Sequence, residues 1–159
     1  MMDPKITEIT EKKLIGIRTA ISLSNDKTRE LWQQFMPRRN EIAGFLNNRF
    51  YSMQVYDKNQ DFNSFTPNTM FEKWAAVEVT DFGAVPEGME PYLLASGKYA
   101  VFIHRGPASA FQKTYQHIFG VWLPNSDYEL DSRAHFEILE EHYNPNDPNA
   151  EEEVWIPIK

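Results

Sequence analysis

The sequence predicts an α+β domain made of two related β-α-β-β halves, and three observations carry that prediction. Runs rich in β-branched and aromatic residues flank two segments of helical periodicity. The two cycles align without gaps at an offset of 87 residues, the separation of Arg18 from Arg105. A proline, Pro37 or Pro124, stands where each helix ends. At 159 residues the chain fits one domain, residues 1–159, with halves of about 1–84 and 85–159. A chain of that length buries roughly 70% of its unfolded surface, enough for a core without disulfides.

Each element has its own signal. Lys5–Ser22 carries Ile6, Ile9, Leu14, Ile15, Ile17 and Ile21 around a polar break at Glu11–Lys13, which reads as a strand lying mainly over Leu14–Ser22. Ser24, Asn25 and Asp26 offer acceptors for the open amides of a helix start. Leu31, Trp32, Phe35 and Met36 then share one face, so a helix is expected from near Asp26 to Met36, with Pro37 ending or kinking it. Phe50–Tyr56 and Phe71–Thr80 read as strands around the turn-rich loop Asp57–Asn68. After the Pro/Gly-rich connector Val85–Pro91, strand formers fill Tyr92–Arg105, with a turn signal at Ser96–Gly97. Phe111, Tyr115, Ile118, Phe119 and Trp122 repeat at helical spacing between Pro107 and Pro124 and predict a helix over Ala108–Val121. His135–Tyr143 and Glu152–Ile158 are the last two strands, joined by Asn144–Ala150.

The offset of 87 places Leu14, Ile15, Leu31, Trp32, Phe35 and Met36 on Val101, Phe102, Ile118, Phe119, Trp122 and Leu123. Both helices are therefore expected on the same side of the sheet. Trp122 and Phe119 read as packing residues.

Charge and composition exclude several functions. Sixteen Lys and Arg against 23 Asp and Glu give a net charge of −7. The only adjacent basic pairs are Lys12–Lys13 and Arg38–Arg39, so direct DNA binding is not expected. There is no cysteine, which removes thiol catalysis and zinc-thiolate sites. Apolar runs such as Tyr99–Ile103 fall far short of the about 20 residues that span a bilayer, and the N-terminus has no apolar signal segment. The expectation is a cytoplasmic protein without a membrane segment. His135 and Glu137 are two candidate metal ligands, but their spacing is not a zinc helix motif, and neither metal nor cofactor is expected. No nucleophile elbow, phosphate loop or dinucleotide fingerprint occurs. No catalytic residue is assigned.

The stretch Gly97–Gly106 (GKYAVFIHRG), the helix end Val121-Trp-Leu-Pro124, the pair Phe136–Glu137 and the closing Glu153-Val-Trp-Ile-Pro-Ile158 together resemble the gyrase-inhibitor-like (GyrI-like) effector-binding family over residues 92–159. The helix Leu31-Trp-x-x-Phe35 resembles its stand-alone, integron-cassette-type members. The resemblance implies an antiparallel sheet with two helices on one face and a ligand pocket on the other. It implies pocket glutamates at Glu137 and Glu153 and a pocket aromatic at Trp155, where Tyr is common in the family. Family members fused to a helix-turn-helix are drug-sensing transcription regulators that bind bulky lipophilic cations, and stand-alone members include effector binders, a gyrase-inhibiting protein and relatives that hydrolyse cyclopropane-containing natural products. A DNA-binding module is not seen in this sequence.

Strand alternation leads to the same residues. Val154, Ile156 and Ile158 share the parity suited to the helix side, and Glu153, Trp155 and Pro157 share the other. Phe136 and Ile138 read as core-facing, which sets His135, Glu137, Leu139 and Glu141 opposite. Two carboxylates and an indole on one face would make a cage for a lipophilic cation. Tyr56 is favoured over Tyr51, which has the other parity, as a further wall. The alternative is an ordinary solvated face, with Glu151–Glu153 keeping an edge strand soluble.

The sequence thus points to a small-molecule binding domain for amphipathic, cationic compounds, with Glu137, Glu153, Trp155 and Tyr56 as ligand-binding residues. The first alternative is a hydrolase of strained electrophiles using the glutamates as acid or base. The second is a gyrase-inhibitor-like protein-interaction module, with an unknown protein partner.

Overall fold

The N-terminal run of β-branched residues breaks at Thr10–Glu11 into two strands, β1 (Lys5–Ile9) and β2 (Lys12–Ile21). The others are β3 (Phe45–Val55), β4 (Phe71–Val79), β5 (Glu90–Leu94), β6 (Gly97–Arg105), β7 (His135–Leu139) and β8 (Glu151–Ile158). The computed structural model describes residues 3–140, 143–144 and 146–159. Glu141, expected on the last-but-one strand, lies outside them. The strands form one sheet in the order β1-β6-β8-β7-β3-β4-β2-β5, with antiparallel neighbours throughout. Exchanging β1–β4 for β5–β8 reverses this order onto itself, which is the duplication visible in the sequence. Each half lends its first strand to the other: β1 pairs with β6, and β5 with β2.

Short connections curl the sheet. Thr10 and Glu11 alone join β1 to β2, although those strands lie near opposite ends of the order. The three peptide steps from Ile9 to Lys12 span at most about 11 Å, so the two edges must approach each other. Ala95–Ser96 imposes the same closure between β5 and β6. The face inside the curl is filled by Leu14, Met53, Trp74, Tyr99 and Phe136.

The other face carries the helices. The first, α1 (Thr28–Phe35), starts after Asp26, whose Oδ1 accepts the Thr28 backbone N–H at 2.9 Å. Pro37 does not stop the chain but tightens it into the 3₁₀ turn Met36–Glu41. The second, α2 (Phe111–His117), runs on through a π turn, Ile118–Trp122, to a last α turn, Leu123–Asn125. Residues directly opposite in a ladder share a face, so the pairs Ile15–Val77, Val77–Phe50 and Phe50–Leu139 put all four on one side. Leu31 and Phe35 pack there. Glu137–Val154 and Val154–Phe102 continue that side beneath Ile118. Both helices therefore cover the same face, each over the outer strands of its own half. Among the described residues no helix is long and apolar enough to cross a membrane.

Candidate functional site

Because each helix sits over its own half, the central strands β3 and β7 are left beneath the gap between them. A cavity of about 1390 Å³ opens there. It lies on the helix-bearing face, not on the opposite face where the sequence reading set the pocket. The curl explains the difference: the opposite face closes on its own apolar layer.

The floor is polar. Ser52 and Gln54 come from β3, Lys73 from β4, His135 and Glu137 from β7, and Glu152 from β8. The walls are aromatic. Tyr56 has Phe62, Phe71 and His135 at ring-centroid distances of 5.0, 4.9 and 5.0 Å. Tyr115 and Phe119 descend from the second helix and its π turn, with stacked rings 5.8 Å apart. Trp32 contributes from α1. The loop 57–68 that supplies Phe62 and Phe65 is locally fixed, since Asp61 Oδ1 accepts the Asn63 backbone N–H at 2.9 Å and starts a 3₁₀ turn, Phe62–Ser64.

The carboxylates define the electrostatics. Glu137 is buried; its Oε1 accepts from Gln54 Nε2 at 3.0 Å and lies 3.8 Å from Lys73 Nζ. Burial raises its pKa, while Lys73 and the Gln54 hydrogen bond pull it back. Burial and then the charge of Glu137 push Glu152 up to about 7, against the opposing pull of Tyr143 and Lys73. His135 is driven down to about 3 by burial, so it is neutral near pH 7. Burial raises the phenols of Tyr56 and Tyr115, and the charge of Glu137 adds to it, so both rings are neutral walls. With Lys73 set against two carboxyls, the floor has room for one more positive charge when both are ionised.

Of the four residues singled out in the sequence, Glu137 and Tyr56 meet in this cavity, and Glu153 and Trp155 do not. The shared face assumed for both glutamates fails on register. Glu137 stands opposite Val154, whereas Glu153 stands opposite Ile138. Phe136 and Ile138, expected beneath the helices, accordingly face inward to the curl. There Glu153 pairs with Arg49 Nη2 at 2.8 Å and accepts the Trp155 indole N–H at 2.9 Å. Trp155 stacks on Phe136 with centroids 5.3 Å apart. Tyr51 also turns to that face and donates to Glu78 at 3.1 Å. Trp122 packs against Phe102 as expected from its helix position, whereas Phe119 also walls the cavity.

Sequence reasoning passed over Lys73, Gln54, Glu152 and Tyr115. A signal existed for two of them. Lys73 shares the parity of Ala75, Val77 and Val79, and Glu152 that of Val154, Ile156 and Ile158, so each is a charge on an otherwise apolar strand face. Among the described residues no three His, Asp or Glu side chains converge as a metal site.

Comparison with known proteins fits this geometry. The sequence model described as the GyrI-like small molecule binding domain matches residues 2–159. Transcriptional regulator BrlR of Pseudomonas aeruginosa is 30% identical over 160 residues, covering 99% of this chain. The chain spans only 56% of that regulator's length. The structure of SAV2435 bound to tetraphenylphosphonium shares the fold, with a TM-score of 0.71 at 17% identity over 99% of this chain and 94% of that one. An integron cassette protein from the mobile metagenome of Vibrio cholerae aligns with a TM-score of 0.64 at 16% identity, covering 99% and 96% of the two chains.

Proposed function

The chain belongs to the GyrI-like small-molecule binding domain family, and from that premise we propose that its ligands are lipophilic cations held between the two helices, for sensing or sequestration. The observation that carries this reading is Glu137, a buried carboxylate on the floor of an aromatic-walled cavity. A cation there gains attraction to the faces of Tyr56 and Tyr115, worth about 0.5–2 kcal/mol per ring. It also gains a charge interaction strengthened by exclusion of water. The tetraphenylphosphonium bound by SAV2435 supports the same ligand class for a shared fold. Glu153 and Trp155, tied to Arg49 and Phe136 on the other face, have no part in this reading.

Titration of the chain with tetraphenylphosphonium, followed by calorimetry, is expected to give micromolar affinity, about −8 kcal/mol. Triphenylphosphine oxide, uncharged and with an oxygen in place of one phenyl ring, should bind at least tenfold less tightly. Equal affinities would remove the electrostatic argument.

One observation favours a second reading, acid–base catalysis: Glu152 is poised near 7 beside a second carboxyl on the cavity floor. Under it, an epoxide- or cyclopropane-bearing substrate would be ring-opened by the chain, and Glu152→Gln would abolish the product while retaining binding. We expect binding without turnover.

A further inference from the structure

We infer that the cavity selects cations that carry N–H donors, of the amidinium or primary ammonium class, over fully substituted ones; this rests on the cation reading above. Glu137 and Gln54 are 7% and 5% exposed. Both existing partners of the Glu137 carboxylate, the Gln54 amide and Lys73, lie at Oε1. Its Oε2 has no hydrogen-bond partner among the described residues, and neither has Gln54 Oε1. The orientation of the Gln54 amide follows from its neighbour. A carboxylate takes only donors, so the NH₂ end turns to Glu137 and the carbonyl oxygen must face away from it.

The two unmatched atoms are thus both acceptors, on neighbouring strands. Gln54 stands opposite His135 in the ladder and Ser52 opposite Glu137, so Gln54 and Glu137 are diagonal neighbours on one face. A buried acceptor without a donor is costly, and an occupant that brings N–H groups relieves that cost. A planar amidinium offers two N–H vectors in a fork together with its charge, which suits a pair of neighbouring acceptors. A trimethylammonium or phosphonium carries the same charge but no donor. It still gains from the aromatic walls and the net field, while leaving both acceptors unmatched.

The test uses a matched pair, 4-biphenylamidinium and 4-biphenyltrimethylammonium, titrated calorimetrically into the full chain at pH 8. The amidinium is expected to bind at least tenfold more tightly. Gln54→Leu, checked for folding by circular dichroism, should narrow that ratio to about threefold or less, chiefly by weakening the amidinium. Equal affinities in the unmodified chain, with binding of both lost in Glu137→Gln, would overturn the donor preference and leave the cation cavity standing. A tighter trimethylammonium, or a ratio unmoved by Gln54→Leu, would also overturn it. Binding of neither cation would remove both readings together.

Discussion

Glu137→Gln is expected to weaken tetraphenylphosphonium binding by about 10- to 100-fold and to leave triphenylphosphine oxide within about twofold of its original affinity. The substitution keeps the shape of the side chain and an oxygen acceptor for the Gln54 N–H, which donates to Oε1 at 3.0 Å. Two electrostatic changes then add. The cation loses a buried partner charge, about 2–3 kcal/mol at roughly 6–8 Å in an effective dielectric of about 20. Lys73, 3.8 Å from the carboxylate, also loses the group that offsets it and repels an incoming cation. Neither change touches a neutral ligand that depends on Tyr56, Tyr115 and Phe119. Parallel calorimetric titrations of the two ligands against both proteins provide the measurement. A uniform loss for charged and neutral ligands would point to collapse of the cavity instead.

Glu152→Gln is expected to stabilise the ligand-free protein in alkaline solution, by about 3 kcal/mol at pH 8. Folding raises the Glu152 carboxyl from its ordinary 4.5 to about 7, first through burial and then through Glu137. Below pH 4.5 the folded and unfolded chains both hold the proton and the residue contributes no slope. Between 4.5 and 7 the unfolded chain releases its proton first, so stability falls as pH rises. Above 7 the penalty is complete, and 2.5 units correspond to roughly 3 kcal/mol. His135, held neutral down to about 3, contributes the opposite slope over the range up to its ordinary 6.5. That slope is present in both proteins, so the difference between their urea-derived stabilities isolates Glu152. The difference should grow from near zero at pH 4.5 to its full value above 7. A flat difference would contradict the assignment.

The same group ties stability to binding. Ionised Glu152 adds attraction for a cation, so affinity should climb as pH rises through about 7, and the variant should lose that climb. A buried carboxyl retained at a cost to the fold is the pattern expected where function opposes stability.

Much of the fold was legible because its signals are local. The helical spacing of Phe111, Tyr115 and Ile118 and the repeat of apolar positions at offset 87 depend only on sequence neighbours. The polar break at Glu11–Lys13 was visible, but not that a separate strand, β1, precedes it, nor that Lys12 and Lys13 already belong to β2. Pairing of β1 with the distant β6 is a long-range fact. The site was half legible for the same reason. Parity within β7 and within β8 was readable, yet whether Glu137 shares a face with Glu152 or with Glu153 turns on a register shift of one residue. Only the pairing of Glu137 with Val154 decides it. Applied to that strand, the offset also sets Glu137 against Phe50, which packs edge-on against Trp32 at 6.2 Å in the first half. The carboxylate therefore stands where the duplication elsewhere keeps a ring.

A crystal structure of the chain with tetraphenylphosphonium tests the central claim most directly. The phosphonium is predicted between α1 and α2, its phenyl rings against Tyr56, Tyr115 and Phe119 and its charge centre within about 6 Å of the aromatic faces, above the Glu137 carboxylate. A cation seated instead against Trp155 and Glu153 on the opposite face, with the space between the helices unfilled, would contradict it.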